Sequence, residues 1–430
     1  MNRRDFLKLS ALLSACGILP KPLRAAVPPR VVVVGGGFAG ATVAKYLRLW
    51  GGAIDVTLVE EGASHYACIL SNLVVTGQLP VDRIVLGYQH LEATHGVRRV
   101  QGRAVGVDPG AHTVSVETAS GITVLPYDRL VLAPGIDFIT PNGNYNAERT
   151  PHAWKAGPQT LLLKSQLSGM VGTGGLYILT IPKAPYRCPP GPYERACVVA
   201  DYLQRRVTST KGKKGKGRTT PARVLVLDAN PAIVAEPVSF GRAFAERYGS
   251  ILEYRPNAEI YSVDSTARSV VTSQGTFQGS VVNVIPSQKA GKIVFDTGLA
   301  NDPSGRWALV NPLSYASTQI PDIHVLGDSQ GTGQPKSGHM ASAEAKVCAD
   351  AIIRAFNGLD PDPAPATNSA CYSPISSTVA SWLTASYRYD SASRTMKRVE
   401  EAFGEATGPS AENFHEMFHW ADNIFADSFG

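Results

Sequence analysis

Ten residues, Val31–Gly40 (VVVVGGGFAG), constrain this chain more than any others. The valine run reads as a strand buried on both faces. It leads into Gly35-x-Gly37-x-x-Gly40 and then an apolar-periodic helix over Ala41–Trp50. A second strand follows at Asp55–Val59, with an acid, Glu60, at its end. Gly35 permits the tight turn, Gly37 lets a backbone approach a pyrophosphate, and Gly40 lets helix and strand pack closely. The helix N-terminus offers unpaired N–H groups to phosphates. Glu60 stands where a carboxylate accepts from ribose hydroxyls. Strand, turn, helix, second strand and acid together predict a dinucleotide site.

Downstream, Val97–Val107 and His112–Thr118 read as strands, and Tyr127–Gly135 (YDRLVLAPG) as a strand closed by a Pro-Gly turn. A second strand–turn–helix rhythm starts at Gly175–Pro182. Where a nicotinamide-binding unit carries its glycine triad, this chain has Lys183–Glu194 (KAPYRCPPGPYE), stiffened by four prolines. The next strand, Arg223–Leu227, also lacks a glycine loop. The second unit therefore has the rhythm of a dinucleotide fold without a phosphate cradle, and electrons must enter from something other than NAD(P)H. The first unit resumes near Val281. Ile323–Asp328 (IHVLGD) delivers Asp328 to a cofactor, and Lys336–Met340 leads into a helix over Ala341–Phe356. An Asp at a strand end suits a ribityl hydroxyl, and the helix's positive end suits the pyrimidine side of a flavin. FAD is the expected cofactor, with Gly35, Gly37, Gly40, Glu60, Asp328 and Lys336 as its binding residues.

The expected fold class is α/β: two Rossmann-like dinucleotide-binding domains, as in disulfide-reductase-like flavoproteins, plus a small C-terminal interface domain. Residues 27–150 and 281–358 form the FAD domain, 151–280 the second domain and 359–430 the interface domain. Residues 1–26 read as an export signal and stand outside the fold. Arg3-Arg4-Asp5-Phe6-Leu7-Lys8 before the apolar stretch Leu9–Leu19 resembles a twin-arginine signal, which places the protein in the periplasm. Leu13-Ser14-Ala15-Cys16 also fits lipoprotein processing at Cys16; cleavage near Ala25-Ala26 is the preferred reading. No run is long and apolar enough to span a membrane.

The formal net charge of +6 comes mostly from that leader. Five more cations sit in one Gly-interleaved run, Lys211–Arg218, without aromatics. A solvated loop explains it better than a nucleic-acid patch. No zinc spacing, GxSxG or Ser/His/Asp constellation is present. His415 and His419, at i,i+4 with no third ligand, read as surface groups rather than a metal site.

Export into an oxidising compartment leaves five cysteines after Cys16. Cys197 and Cys348 lie in helix-like segments and read as small core thiols. Cys68, Cys188 and Cys371 lie in non-periodic segments. Glu194, six residues after Cys188 on the first turn of a helix, is a candidate acid/base. Its alternative role is stabilising that helix terminus.

Long, irregular motifs carry a resemblance. VVVVGGGFAGATVAKYL, HYACILSN, PHAWKAGPQT, YRCPPGPYERA, AGKI, HVLGDS, PKSGHMA, ACYS and WADNIFADSFG resemble the flavoprotein subunits of flavocytochrome c sulfide dehydrogenases over nearly the whole mature chain. The resemblance implies that Cys68 is thioether-linked to the flavin 8-methyl group. It implies that Cys188 and Cys371 form a redox-active disulfide beside the flavin. Hydrosulfide then attacks one sulfur of that disulfide, giving a persulfide and a thiolate, and electrons pass to FAD and singly to haem. Trp420 matches an aromatic on the flavin side. The chain has no CxxCH and so carries no haem of its own; a cytochrome c subunit is implied, docking at the aromatic C-terminal region as a heterodimer. The basic run and Cys197 depart from the family pattern. Two other readings remain: a sulfide:quinone oxidoreductase, disfavoured by the acidic, aromatic tail, and an exported flavin relay with structural cysteines.

Overall fold

The computed structural model describes residues 27–210 and 221–430. The twin-arginine segment, Cys16 and the basic run 211–220 lie outside the described residues. Along the chain, β1 (Arg30–Val34) feeds α1 (Phe38–Gly51), β2 (Asp55–Glu60), the short α2 (Ser71–Val75), β3 (Arg98–Gln101) and β4 (Arg129–Leu132). Then come β5 (Gly175–Ile181), α3 (Gly191–Thr210), β6 (Ala222–Asp228), α4 (Pro237–Arg242), β7 (Leu252–Arg255) and β8 (Val281–Val284). β9 (Ile323–Val325), α5 (Gly338–Phe356), the strands β10 (Ala366–Pro374), β11 (Ala380–Asp390) and β12 (Thr395–Glu405), and α6 (Ala411–Phe429) complete the framework.

The first sheet is parallel throughout, in the order β9-β4-β1-β2-β3. Val31–Val34 are buried because helices and neighbouring strands cover both faces of β1. β9 arrives from almost 200 residues further along, so this sheet is built from two separate stretches of the chain. The second sheet, β7-β6-β5-β8, is also parallel. It corrects one boundary. Val281–Val284 pairs with Tyr177–Thr180 in this sheet, so the chain returns to the first domain only at Gln288–Ala290, which pairs with Ile136–Phe138. A fully buried VVNV run fits either parallel sheet by composition, and only partner choice decided which.

The C-terminal segment forms the antiparallel sheet β10-β11-β12. α6 packs back onto the first domain through Met417, Ala421, Ile424, Phe425 and Phe429. Thr42 Oγ1 donates to Ser428 Oγ at 2.9 Å and Tyr46 Oη to Asp427 at 2.6 Å, fixing α6 against α1. Phe429 stacks on His65. The tail is therefore part of the body, and it closes the site described next. No helix among the described residues is long and apolar enough to cross a membrane.

Candidate functional site

The nucleotide cleft opens at the β1–α1 turn. Gly35 has φ +99° and a Cβ there would lie 2.3 Å from the Ala133 carbonyl oxygen. A Cβ on Gly40 would lie 1.7 Å from the Gly35 carbonyl oxygen. These two glycines serve the turn itself. Gly37 differs: the nearest atom to a Cβ there is His65 Cε1, at an ordinary 3.5 Å. The protein itself leaves room for a side chain at Gly37, so a glycine there fits a ligand held close to the backbone. Glu60 rims the same cleft and accepts the Gly36 and Gly62 N–H groups at 2.5 and 2.9 Å.

The cleft has a volume of about 420 Å³ and is lined by Gly35–Ala39, Glu60, Cys68, Arg187, Asp328 and Gly338, among others. Asp328 sits in the turn Gly327–Ser329 after β9. Its Oδ1 is buried without a hydrogen-bond partner, and burial raises its pKa against the pull of Arg187 and Lys336. A buried carboxylate oxygen left open beside a glycine cradle fits a ribityl hydroxyl of FAD. Lys336 does not line the cleft. Its ammonium donates to the Gln330 carbonyl and lies 3.9 Å from the Trp307 ring centroid. What Lys336 contributes is its backbone: its carbonyl accepts the Cys188 N–H at 2.6 Å.

A second, much smaller cavity of about 60 Å³ adjoins the cleft. Cys68, Cys188 and Cys371 all line it, and Cys68 lines the nucleotide cleft as well. Three different elements deliver them: the loop before α2, the Pro-rich loop before α3, and β10. Cys371 was unreadable as a strand residue because Ala366–Pro374 (ATNSACYSP) has no clean apolar alternation. Cys188 takes φ +58°, a left-handed conformation costly for a non-glycine residue. Gly191 lacks the Cβ that would stand 2.8 Å from Cys188 Sγ, so α3 can start against the thiol. Both Cys188 and Cys371 are free thiols in this structure. Burial raises the Cys188 pKa well above the usual thiol range and pushes Cys371 up to about 12. Cys197 and Cys348 are fully buried on α3 and α5.

Glu194 completes the cavity. Burial pushes its pKa up to about 8, opposed by an Asn72 hydrogen bond and by Arg195. Asn72 Nδ2 donates to Glu194 Oε1 at 2.9 Å. Arg195 is its chain neighbour, yet its guanidinium is committed to Asn72 Oδ1, Asn283 Oδ1 and the carbonyls of His152 and Ala153. That commitment keeps the adjacent cation from forming an ion pair with the carboxylate. Asn72, Arg187 and Arg195 were not singled out in the sequence, although each lies beside a residue or motif that was. Trp420 of α6 and Trp154 line the same cavity.

The Pro-rich loop thus occupies the place of a second phosphate loop and supplies a thiol instead. The carboxylate at the end of β6, Asp228, is fully buried and accepts from Tyr193, Tyr254 and Asn230. Nothing of it remains for a second nucleotide. Among the described residues no three His, Cys, Asp or Glu side chains gather as a metal site.

A glycine-cradled nucleotide cleft joined through Cys68, Arg187, Ser337 and Gly338 to a small thiol-lined cavity defines a flavin-dependent oxidoreductase of the disulfide-reductase type. Comparison with known proteins agrees and narrows the class. Residues 29–164 match the pyridine nucleotide-disulphide oxidoreductase model. Residues 160–286 match the central region of the sulfide dehydrogenase [flavocytochrome c] flavoprotein chain, and 363–429 the flavin-binding model of flavocytochrome c sulphide dehydrogenase. The sulfide dehydrogenase flavoprotein chain of Chlorobaculum thiosulfatiphilum is 58% identical over 45 residues, 10% of this chain and 94% of that sequence. A type II NADH:quinone oxidoreductase of Mycobacterium tuberculosis is 25% identical over 371 residues, 80% of this chain and 76% of the relative. In fold, the chain is similar to sulfide:quinone oxidoreductase from Aquifex aeolicus, with a TM-score of 0.76, 17% identity and coverage of 93% and 91% of the two chains. The chain belongs to the flavoprotein-chain family of flavocytochrome c sulfide dehydrogenases. It is an FAD-binding, sulfide-oxidising enzyme.

Proposed function

We propose that this chain works in the periplasm, passing electrons from sulfide through a Cys188–Cys371 disulfide and FAD to a cytochrome c subunit. One observation carries the reading: Cys68, Cys188 and Cys371 meet in a single cavity of about 60 Å³ that touches the nucleotide cleft only through shared residues such as Cys68 and Arg187. A space that small takes a few heavy atoms. It suits hydrosulfide or a short sulfur chain.

The roles follow from thiol chemistry. Hydrosulfide attacks one sulfur of the disulfide, leaving a persulfide on one cysteine and a thiolate on the other. Bound FAD supplies the two-electron acceptor. Glu194 takes the S–H proton as the sulfur is oxidised, with Asn72 holding the carboxylate in place. Cys68, on the boundary of cleft and cavity, anchors the flavin covalently, which keeps the cofactor attached outside the cytoplasm. Trp420 lines both the cavity and an outer groove with Tyr372, Trp382 and His419, which supports cytochrome docking there.

The test is anaerobic sulfide oxidation by the purified chain with cytochrome c and a soluble quinone offered separately. Cytochrome reduction with little quinone activity supports the reading; a preference for quinone transfers the protein to the quinone-linked class. Cys188→Ser should abolish bleaching of the flavin by sulfide. Intact bleaching in that variant would make the cysteines structural.

A further inference from the structure

Behind the cysteine cavity lies a second buried carboxylate that the sulfide chemistry above does not use. Glu236 precedes α4, is 2% exposed, and adopts φ +49°. A left-handed backbone is expensive for a residue other than glycine, asparagine or aspartate. Here it turns a carboxylate inward. Glu236 Oε1 accepts from Ser373 Oγ at 2.5 Å, while Oε2 is buried with no partner among the described residues. Ser373 stands two residues from Cys371 on β10 and is paired in register with Ser381 of β11. Across the same sheet, Cys371 is in register with Leu383 of β11 and Leu383 with Glu405, which ends β12 half-buried, its Oε1 buried and unpartnered among the described residues.

We propose that Glu194, Glu236 and Glu405 form a proton-release path, leading from the cysteine cavity beneath β10 and β11 to the edge strand β12. The inference rests on the sulfide-oxidising reading. As hydrosulfide becomes sulfur(0) it loses two electrons and one proton. Bound FAD would take the two electrons. The proton is left on Glu194, which is only 9% exposed, and Glu194 must release it before it can serve the next sulfide.

The charged and titratable surroundings are consistent with that route. Glu194 senses Glu236, and Glu236 senses Glu405, each neighbour favouring the protonated form. Cys197 on α3 feels both Glu194 and Glu236, and Cys371 on β10 does likewise. Arg247 and Asp201 face Cys197. Burial pushes Glu236 up to about 7 and Glu194 up to about 8, so both exchange protons near neutral pH. Glu405 is also raised by burial.

The experiment compares single and multiple turnover in the flavin-loaded chain. Stopped-flow bleaching by anaerobic sulfide reads the first oxidation; ferricyanide reduction, a one-electron acceptor, reads steady turnover. In Glu236→Gln, Glu194 still accepts the first proton and loses a neighbour that favoured its protonated form, so bleaching should be no slower than in the wild type. Steady turnover should fall at least tenfold, with a larger solvent deuterium isotope effect. Glu405→Gln, at the half-exposed end, should show the same split and keeps the test decisive if the buried variant folds poorly. Wild-type turnover in both variants overturns the path. Bleaching slowed as much as turnover also overturns it, since that marks a role in shaping the cavity. No bleaching in the wild type would instead sink the sulfide reading itself.

Discussion

Replacing Glu194 with glutamine tests the centre of the site by two independent readouts. The residue is 9% exposed and, among the described residues, its carboxyl receives one side-chain hydrogen bond, from Asn72. Its pKa of about 8 leaves roughly one-tenth ionised at pH 7 and about nine-tenths at pH 9. If the ionised form accepts the sulfide proton, flavin bleaching at saturating hydrosulfide should rise about tenfold between those pH values. Glu194→Gln should erase that limb and slow bleaching by about 10²–10⁴-fold, the usual worth of a positioned general base. Stability gives the second readout. A carboxyl raised from 4.5 to about 8 holds its proton in the folded state over a window where the unfolded chain has released it. Wild-type stability therefore declines as pH rises from about 4.5 to about 8, by at most about 5 kcal/mol at 1.36 kcal/mol per unit. Glutamine mimics the neutral form and can still accept from Asn72. The variant should match wild type near pH 5 and exceed it near pH 9 in chemical denaturation. A surviving pH limb in the variant, or equal stability at pH 9, would refute the assignment.

Asn72→Ala removes the one side-chain bond that favours the ionised Glu194, so the kinetic limb should move up by about one unit, matching a charged hydrogen bond of about 1.5 kcal/mol; a shift downward would contradict the geometry. Gly37→Ala meets no close protein atom, so apoprotein melting should be unchanged while FAD uptake is lost, whereas Gly40→Ala, with a Cβ 1.7 Å from the Gly35 oxygen, should destabilise the apoprotein too. Equal melting losses in both would remove the argument for a ligand at Gly37. Cys68→Ser should let FAD pass a filter after urea denaturation, where the wild type should retain its colour; colour retained by the variant would place the link elsewhere.

The nucleotide cleft was legible because its chemistry is local. Gly35, Gly37, Gly40 and Glu60 lie within one βαβ unit, and the backbone geometry that demands them is set by that unit alone. Asp328 was legible for the same reason, as a strand-end residue. Lys336 was assigned from its neighbourhood in the chain, and its side chain went instead to Gln330 and Trp307. The edge of the second sheet could not be read either, since Val281–Val284 is apolar enough for any buried parallel position.

The sequence by itself determined the fold class, the FAD cradle, the missing second phosphate loop and which cysteines needed explaining. Tertiary structure alone decided that the three segments carrying Cys68, Cys188 and Cys371 converge, and that Glu194 is buried there with its neighbouring cation spent elsewhere. It also brought Glu236 and Glu405 in behind them. The physical reason is range. Turn and strand preferences act between residues a few positions apart, whereas desolvation of a carboxylate depends on every element that covers it.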